Sequence, residues 1–100
     1  MKYRLVLRPE VDTDLLEIEK WYDQQEPGLG REFLQCAREA MVRLLRNPLL
    51  YPVRQKRNEI RWIYSRRFPY RFVFRVMGGT VVLYAVLHAA RHDRHWKRRV

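Results

Sequence analysis

The chain has 100 residues, 47% of them hydrophobic, which is enough for one core and leaves no room for a second domain. No stretch approaches the roughly 18 to 20 consecutive apolar residues that span a bilayer, and the single cysteine, Cys36, excludes an internal disulfide and a cysteine-built zinc site. The net charge of +10 is unevenly spread: residues 1–50 carry eight Lys or Arg against nine Asp or Glu, and residues 51–100 carry thirteen against two.

In chain order, Tyr3, Leu5 and Leu7 alternate with Arg4 and Arg8, a period of two that predicts a first strand. This opening has no signal-peptide character, so the expected location is the cytoplasm. Pro9 suits a first helical position, and Glu10, Asp12 and Asp14 favour the positive end of a helix dipole, although Arg8 is a poor N-cap. Val11, Leu15, Ile18 and Trp21/Tyr22 follow at helical spacing, which predicts an amphipathic helix over 9–25 with both aromatics in the core. The turn Glu26-Pro27-Gly28-Leu29-Gly30 leads to a second stripe of Phe33, Ala37, Ala40/Met41, Leu44 and Leu45, stopped by Asn47-Pro48. So short a link predicts an antiparallel helical hairpin.

Residues 49–58 show neither period and read as a loop. From Ile60 the period is two again: Ile60, Trp62 and Tyr64 on one face of a second strand, Arg61, Ile63 and Ser65 on the other. Phe68-Pro69 breaks it, and Tyr70, Phe72, Phe74 and Val76 alternate with Arg71, Val73 and Arg75 in a third. Gly78-Gly79 signals a hairpin into Val81–Leu87, a run apolar on both faces and so a central strand. Beyond His88 the chain is polar and basic, a tail over about 89–100.

This order predicts one α+β domain over 1–100, β-α-α-β-β-β, with the helical hairpin packed on one face of a small, mainly antiparallel twisted sheet. The other face is expected to carry Arg61, Arg71 and Arg75 among apolar neighbours. Thirteen cations in one half build a positive field that attracts polyanions or acidic proteins, and nearly all are Arg, whose planar fork suits phosphate and carboxylate. Trp62, Tyr70 and Trp96 lie among these Arg residues, a mixture that stacks bases or grips a protein partner. Arg66-Arg67 adds to it, and Lys97-Arg98-Arg99 reads as solvated charge. His88, His92 and His95 with Asp93 fit no metal-ligand spacing, so neither metal nor cofactor is expected.

Several of these features in this order resemble the RelE/ParE superfamily of small toxins from type II toxin–antitoxin pairs. They are Asp14-Leu15-Leu16-Glu17-Ile18 with Trp21-Tyr22, Pro27-Gly28-Leu29-Gly30 before Phe33, Asn47-Pro48 with Tyr51, Phe68-Pro69-Tyr70-Arg71, Ala85-Val86-Leu87-His88, and the tail Arg91 to Trp96. The resemblance implies growth arrest or plasmid stabilisation by a toxin that an acidic, ParD-like antitoxin keeps silent. RelE-like members cleave mRNA on the ribosome, which needs a base for the ribose 2′-OH and cations for the charged transition state. That reading would use Arg61, Arg71, His88 and Arg91, but Trp96 stands about where a catalytic tyrosine would, and an indole cannot transfer the proton. ParE-like members poison DNA gyrase without a known hydrolytic site, and Phe68-Pro69-Tyr70-Arg71 with the His88, Arg91, Trp96 tail looks more like them. The expected target and antitoxin surface is Arg61, Trp62, Arg66, Arg67, Arg71, Arg75, Arg91 and Trp96. A nucleic-acid-binding module without toxicity is the rival from another class.

Overall fold

A computed structural model of the chain describes residues 2–90 and Arg99. Strand β1 (Arg4–Leu7) leads into helix α1 (Pro9–Gln25), and helix α2 (Leu29–Arg46) returns against it. A single 3-10 turn (Pro48–Leu50) then precedes strands β2 (Val53–Gln55), β3 (Ile60–Tyr64), β4 (Tyr70–Met77) and β5 (Thr80–His88). The sheet order is β1-β5-β4-β3-β2, with β1 parallel to β5 and every other neighbour antiparallel. The double-sided apolar run of β5 therefore sits inside the sheet, paired on both sides.

Two details depart from the sequence reading. The stretch read as a loop contains β2, a three-residue edge strand too short to show a period. Helix α2 also starts inside the predicted turn, because Leu29 and Gly30 are already helical and only Pro27 and Gly28, the latter at φ 89, make the reversal. The β4–β5 turn behaves as its Gly pair requires, with positive φ at Gly78 alone, the first central position, as in a type II′ turn.

Helix α2 buries Phe33, Ala37, Ala40 and Leu44 on one stripe, against Ile63, Phe72, Phe74, Val81, Leu83 and Val86 of the sheet. Phe33 is the hub, its ring 5.9 Å from Tyr22, 5.5 Å from Phe68 and 5.3 Å from Tyr70. A fully buried Phe contributes about 1.5–3 kcal/mol through burial alone, so this cluster fixes the helix layer on the sheet. Ile60, Val73, Ala85 and Leu87 form a second apolar group on the opposite face, with Trp62 packed against it.

Candidate functional site: the open sheet face

Residues opposite one another across a ladder share a face, so the register places each arginine. Tyr64 pairs with Arg71, Trp62 with Val73, and Arg75 with Val82, all on the face away from the helices. Arg61 pairs with Phe74, a core residue, and so turns to the helix side, where its Nε donates to the Tyr51 carbonyl at 2.9 Å. The expectation that Arg61 joins Arg71 and Arg75 on one surface is therefore corrected. Tyr70 is likewise on the helix side, only 8% exposed, in the ring cluster with Phe33. Arg66 and Arg67 sit in the β3–β4 connection beside α2, where Arg67 pairs with Glu32 and lies over the Phe68 ring. Arg91 and Trp96, with His92 and His95, lie outside the described residues.

Three arginines that the sequence reading left out complete the open face. Tyr3, Leu5 and Leu7 pack on the core, so alternation turns Arg4, Val6 and Arg8 to the other side. Arg8 lies 5.8 Å over the Tyr84 ring. From β2, Arg54 reaches the Trp62 ring at 5.4 Å, and Arg71 from β4 lies 4.8 Å from the same ring. Trp62 thus organises two guanidinium groups by cation–π attraction, worth up to about 2 kcal/mol for a desolvated pair. Arg71, with 5% of its surface exposed, is the buried one. Among the described residues no strand contains Asp or Glu: apart from Glu59, the acidic residues belong to the helices and the turn between them. The open face is consequently a floor of Val73, Val82, Ala85 and Leu87 studded with Arg4, Arg8, Arg54, Arg71 and Arg75, of which Arg8 lies 3.9 Å from Glu10 of α1.

His88 takes a different place. Tyr70 is its cross-strand partner and its ring meets Tyr70 edge-on at 5.4 Å, so it belongs to the helix side. Its Nδ1 accepts the Ala90 N–H at 3.1 Å, a local bond that holds the ring at the end of β5. Arg71, Arg61 and His88 are therefore divided between two faces. Among the described residues no group of His, Cys, Asp and Glu could hold a metal ion, and no helix is long and apolar enough to cross a membrane.

Two further residues escaped the sequence reading. Trp21, expected in the core, is 53% exposed, because Tyr22 takes the inward position. Arg99, read as solvated charge, returns to α1: its Nη1 donates to Asp14 Oδ2 at 2.7 Å and to the Tyr84 carbonyl at 3.1 Å, and its Nη2 to Asp14 Oδ1 at 3.1 Å. The hydrogen bond to Asp14 raises the Arg99 pKa further above its ordinary value, against the opposing effect of burial. The same Asp14 Oδ2 accepts the Val86 N–H at 3.0 Å.

Comparison with known proteins agrees with this architecture. The solved structure of the chromosomal ParDE toxin–antitoxin system from P. aeruginosa contains a chain of TM-score 0.77 and 18% identity, covering 87% of this chain and 96% of that one. The toxin–antitoxin complex RelBE2 from Mycobacterium tuberculosis gives 0.57 and 23%, covering 88% and 99%. At such identities the likeness is one of fold. Among curated protein sequences none is significantly similar. The sequence model of the ParE toxin of the parDE type II toxin–antitoxin system matches residues 5–93, nearly the whole domain, and the chain therefore belongs to the ParE toxin family.

Proposed function

We propose that this chain is the toxin of a type II pair, that it arrests growth by poisoning DNA gyrase through its open sheet face, and that an acidic antitoxin keeps it silent. The observation that carries this reading is the gathering of Arg4, Arg8, Arg54, Arg71 and Arg75 on one face of the sheet, with Arg54 and Arg71 at the Trp62 ring and no carboxylate in any described strand. Such a surface attracts polyanions and acidic segments over several ångströms and offers Trp62 and its apolar floor as an anchor at contact. Both structural neighbours come from toxin–antitoxin complexes, which supports an antitoxin as partner. Arg91 and Trp96 join the proposed surface on sequence grounds.

A RelE-like ribosome-dependent mRNA endonuclease is less well supported. It needs a proton acceptor beside the phosphate-binding cations, whereas His88 and Arg61 lie on the side of the sheet opposite Arg71. The test is induction of the chain in a bacterial host, with chromosome breaks, the SOS response and ribosomal A-site mRNA ends followed together. Breaks and SOS induction without mRNA cuts, relieved by antitoxin co-expression, are expected. Cuts without breaks would turn the assignment to the ribosome. Salt-sensitive nucleic-acid binding without arrest would make the chain a simple binding module.

A further inference from the structure

We propose that the groove between α2 and the β3–β4 connection is a binding site for a short phosphate chain, free or carried by a nucleotide, held by Arg43, Arg46 and Arg66. The groove belongs to the helix layer, and the inference does not depend on which target the open face engages. It also lies on the flank of α2 away from α1. Gly30 turns to α1, and Cys36 and Arg43 fall roughly 120–140° round the helix from it, beyond the buried stripe of Phe33, Ala37, Ala40 and Leu44.

The groove holds about 390 Å³, within the range of small-ligand sites. Its two ends differ in charge. At one end Gln35 joins Arg38 and Glu39: its Oε1 accepts from Arg38 Nη1 at 2.9 Å, and its Nε2 donates to Glu39 Oε1 at 3.4 Å. That set is neutral in sum. At the other end Arg43 and Arg46, three residues apart, share a helix face, and Arg66 meets them from the connection. Arg43 Nη2 donates to the Tyr64 carbonyl at 3.3 Å, which places this guanidinium, while Arg46 and Arg66 are exposed. No carboxylate among the described residues pairs with any of the three, whereas neighbouring Arg67 is paired with Glu32. Cys36 and Val42 make the wall between the two ends.

Three guanidiniums on one small space call for a ligand whose negative charge is compact. The C-terminal end of α2 supplies only about half a negative charge against them. A terminal phosphate brings about −1.5 to −2 and three acceptor oxygens, and the planar fork of arginine binds it through paired hydrogen bonds. Two or three linked phosphates therefore match the site in both charge and reach. Side-chain carboxylates bring one charge each on separate stems and fill the same space with carbon. A nucleic-acid strand, whose phosphates continue in both directions, would have to run past Glu39.

The probe is sodium tripolyphosphate, titrated at 0.15 M salt into the isotopically labelled full chain and followed by amide NMR shifts. Saturable shifts at Val42, Arg43, Arg46 and Arg66 are expected. The double variant Arg43→Gln/Arg46→Gln should bind about tenfold more weakly, the combined size of two exposed charge contacts. Glutamine is a good helix former, and circular dichroism checks that the variant folds. Arg31→Gln/Arg57→Gln removes the same charge outside the groove and should bind within about twofold of the native chain, because distant exposed charges are screened at this salt. ATP binding no tighter than tripolyphosphate would identify the phosphate chain alone as the ligand, and tighter ATP binding with shifts spreading to Cys36 would identify a nucleotide. Unchanged affinity of the folded groove variant, equal weakening in both double variants, or shifts confined to the open face would each overturn the proposal. So would a short DNA duplex or an aspartate hexapeptide that binds these residues more tightly than tripolyphosphate, since the groove would then serve a nucleic acid or an acidic protein segment.

Discussion

Gly30 sits where α2 crosses closest to α1. A Cβ there would lie 2.4 Å from the Glu19 carbonyl oxygen and 2.8 Å from Asp23 Cγ, far inside contact distance with backbone that cannot move aside. Its N–H, one of the donors that a helix start leaves without an internal partner, is instead capped by Asp23 Oδ1 at 2.8 Å across the hairpin. Glycine inside a helix costs about 1 kcal/mol relative to alanine, and here the close approach more than offsets it. Gly30→Ala is predicted to lower stability by roughly 2–3 kcal/mol through overpacking, read as a shift of the urea midpoint. An unchanged midpoint would mean that the two helices have slack the distances do not show. Gly28, with open space around it, owes its place to φ alone, so its replacement acts through backbone strain and not through a clash. Neighbouring Trp21 and Tyr22 show the limit of pattern at this scale. A helical stripe about 100° wide admits either, and only the Phe33, Phe68 and Tyr70 rings, all distant in sequence, select Tyr22.

The elements themselves were legible wherever a pattern ran long enough: α1 and its start at Pro9, the apolar stripe of α2, the alternation of β3 and β4, and the double-sided apolar run of β5. Strand β2 was not, because three residues carry no period, and the face of each arginine was not either. Both Arg61 and Arg71 alternate with apolar residues, so each strand is half apolar on both faces, and only the register Arg61 to Phe74 and Tyr64 to Arg71 separates them. Nor does any local signal join Asp14 to Arg99, 85 positions apart. Yet that carboxylate ties distant parts of the chain together, since it accepts the Val86 N–H of β5 and anchors Arg99 to α1. Asp14→Ala is predicted to cost roughly 2–4 kcal/mol, because it leaves a largely buried guanidinium and a backbone N–H without their acceptor. Arg99→Ala should cost less, roughly 1–2 kcal/mol, since the Val86 bond survives. Thermal unfolding of the two variants gives the comparison, and equal losses would show that the Val86 bond adds nothing. A raised pKa stabilises the fold at every pH below the ordinary arginine value and is lost only as pH rises through the folded value, so Arg99 adds no pH dependence around neutrality.

At the scale of the whole molecule, charge is sorted by layer. Among the described residues carboxylates lie mainly on the helices, the strands carry none, and the open face gathers arginines from β1, β2 and β4 that are far apart in sequence. Sorting of this kind acts mainly on encounter, because exposed charges steer a partner in while the desolvated anchor holds it. Arg4 and Arg54 are exposed and Arg75 is half-buried, so replacing all three by Ala should slow association with the antitoxin about three- to tenfold at low salt, with little change in dissociation. Adding salt to the native chain should slow association in the same way, and the triple variant should respond less. Arg61→Ala removes the same charge from the helix side, where the guanidinium is spent on the Tyr51 carbonyl, and should leave the association rate close to native. Trp62→Ala should act in the opposite sense, speeding dissociation while sparing the association rate, because it removes the anchor and the ring that places Arg54 and Arg71. Stopped-flow association at two salt concentrations separates the cases. If Arg61→Ala slows association as much as the triple variant does, total charge and not the open face guides the partner, and the layered arrangement has no part in recognition.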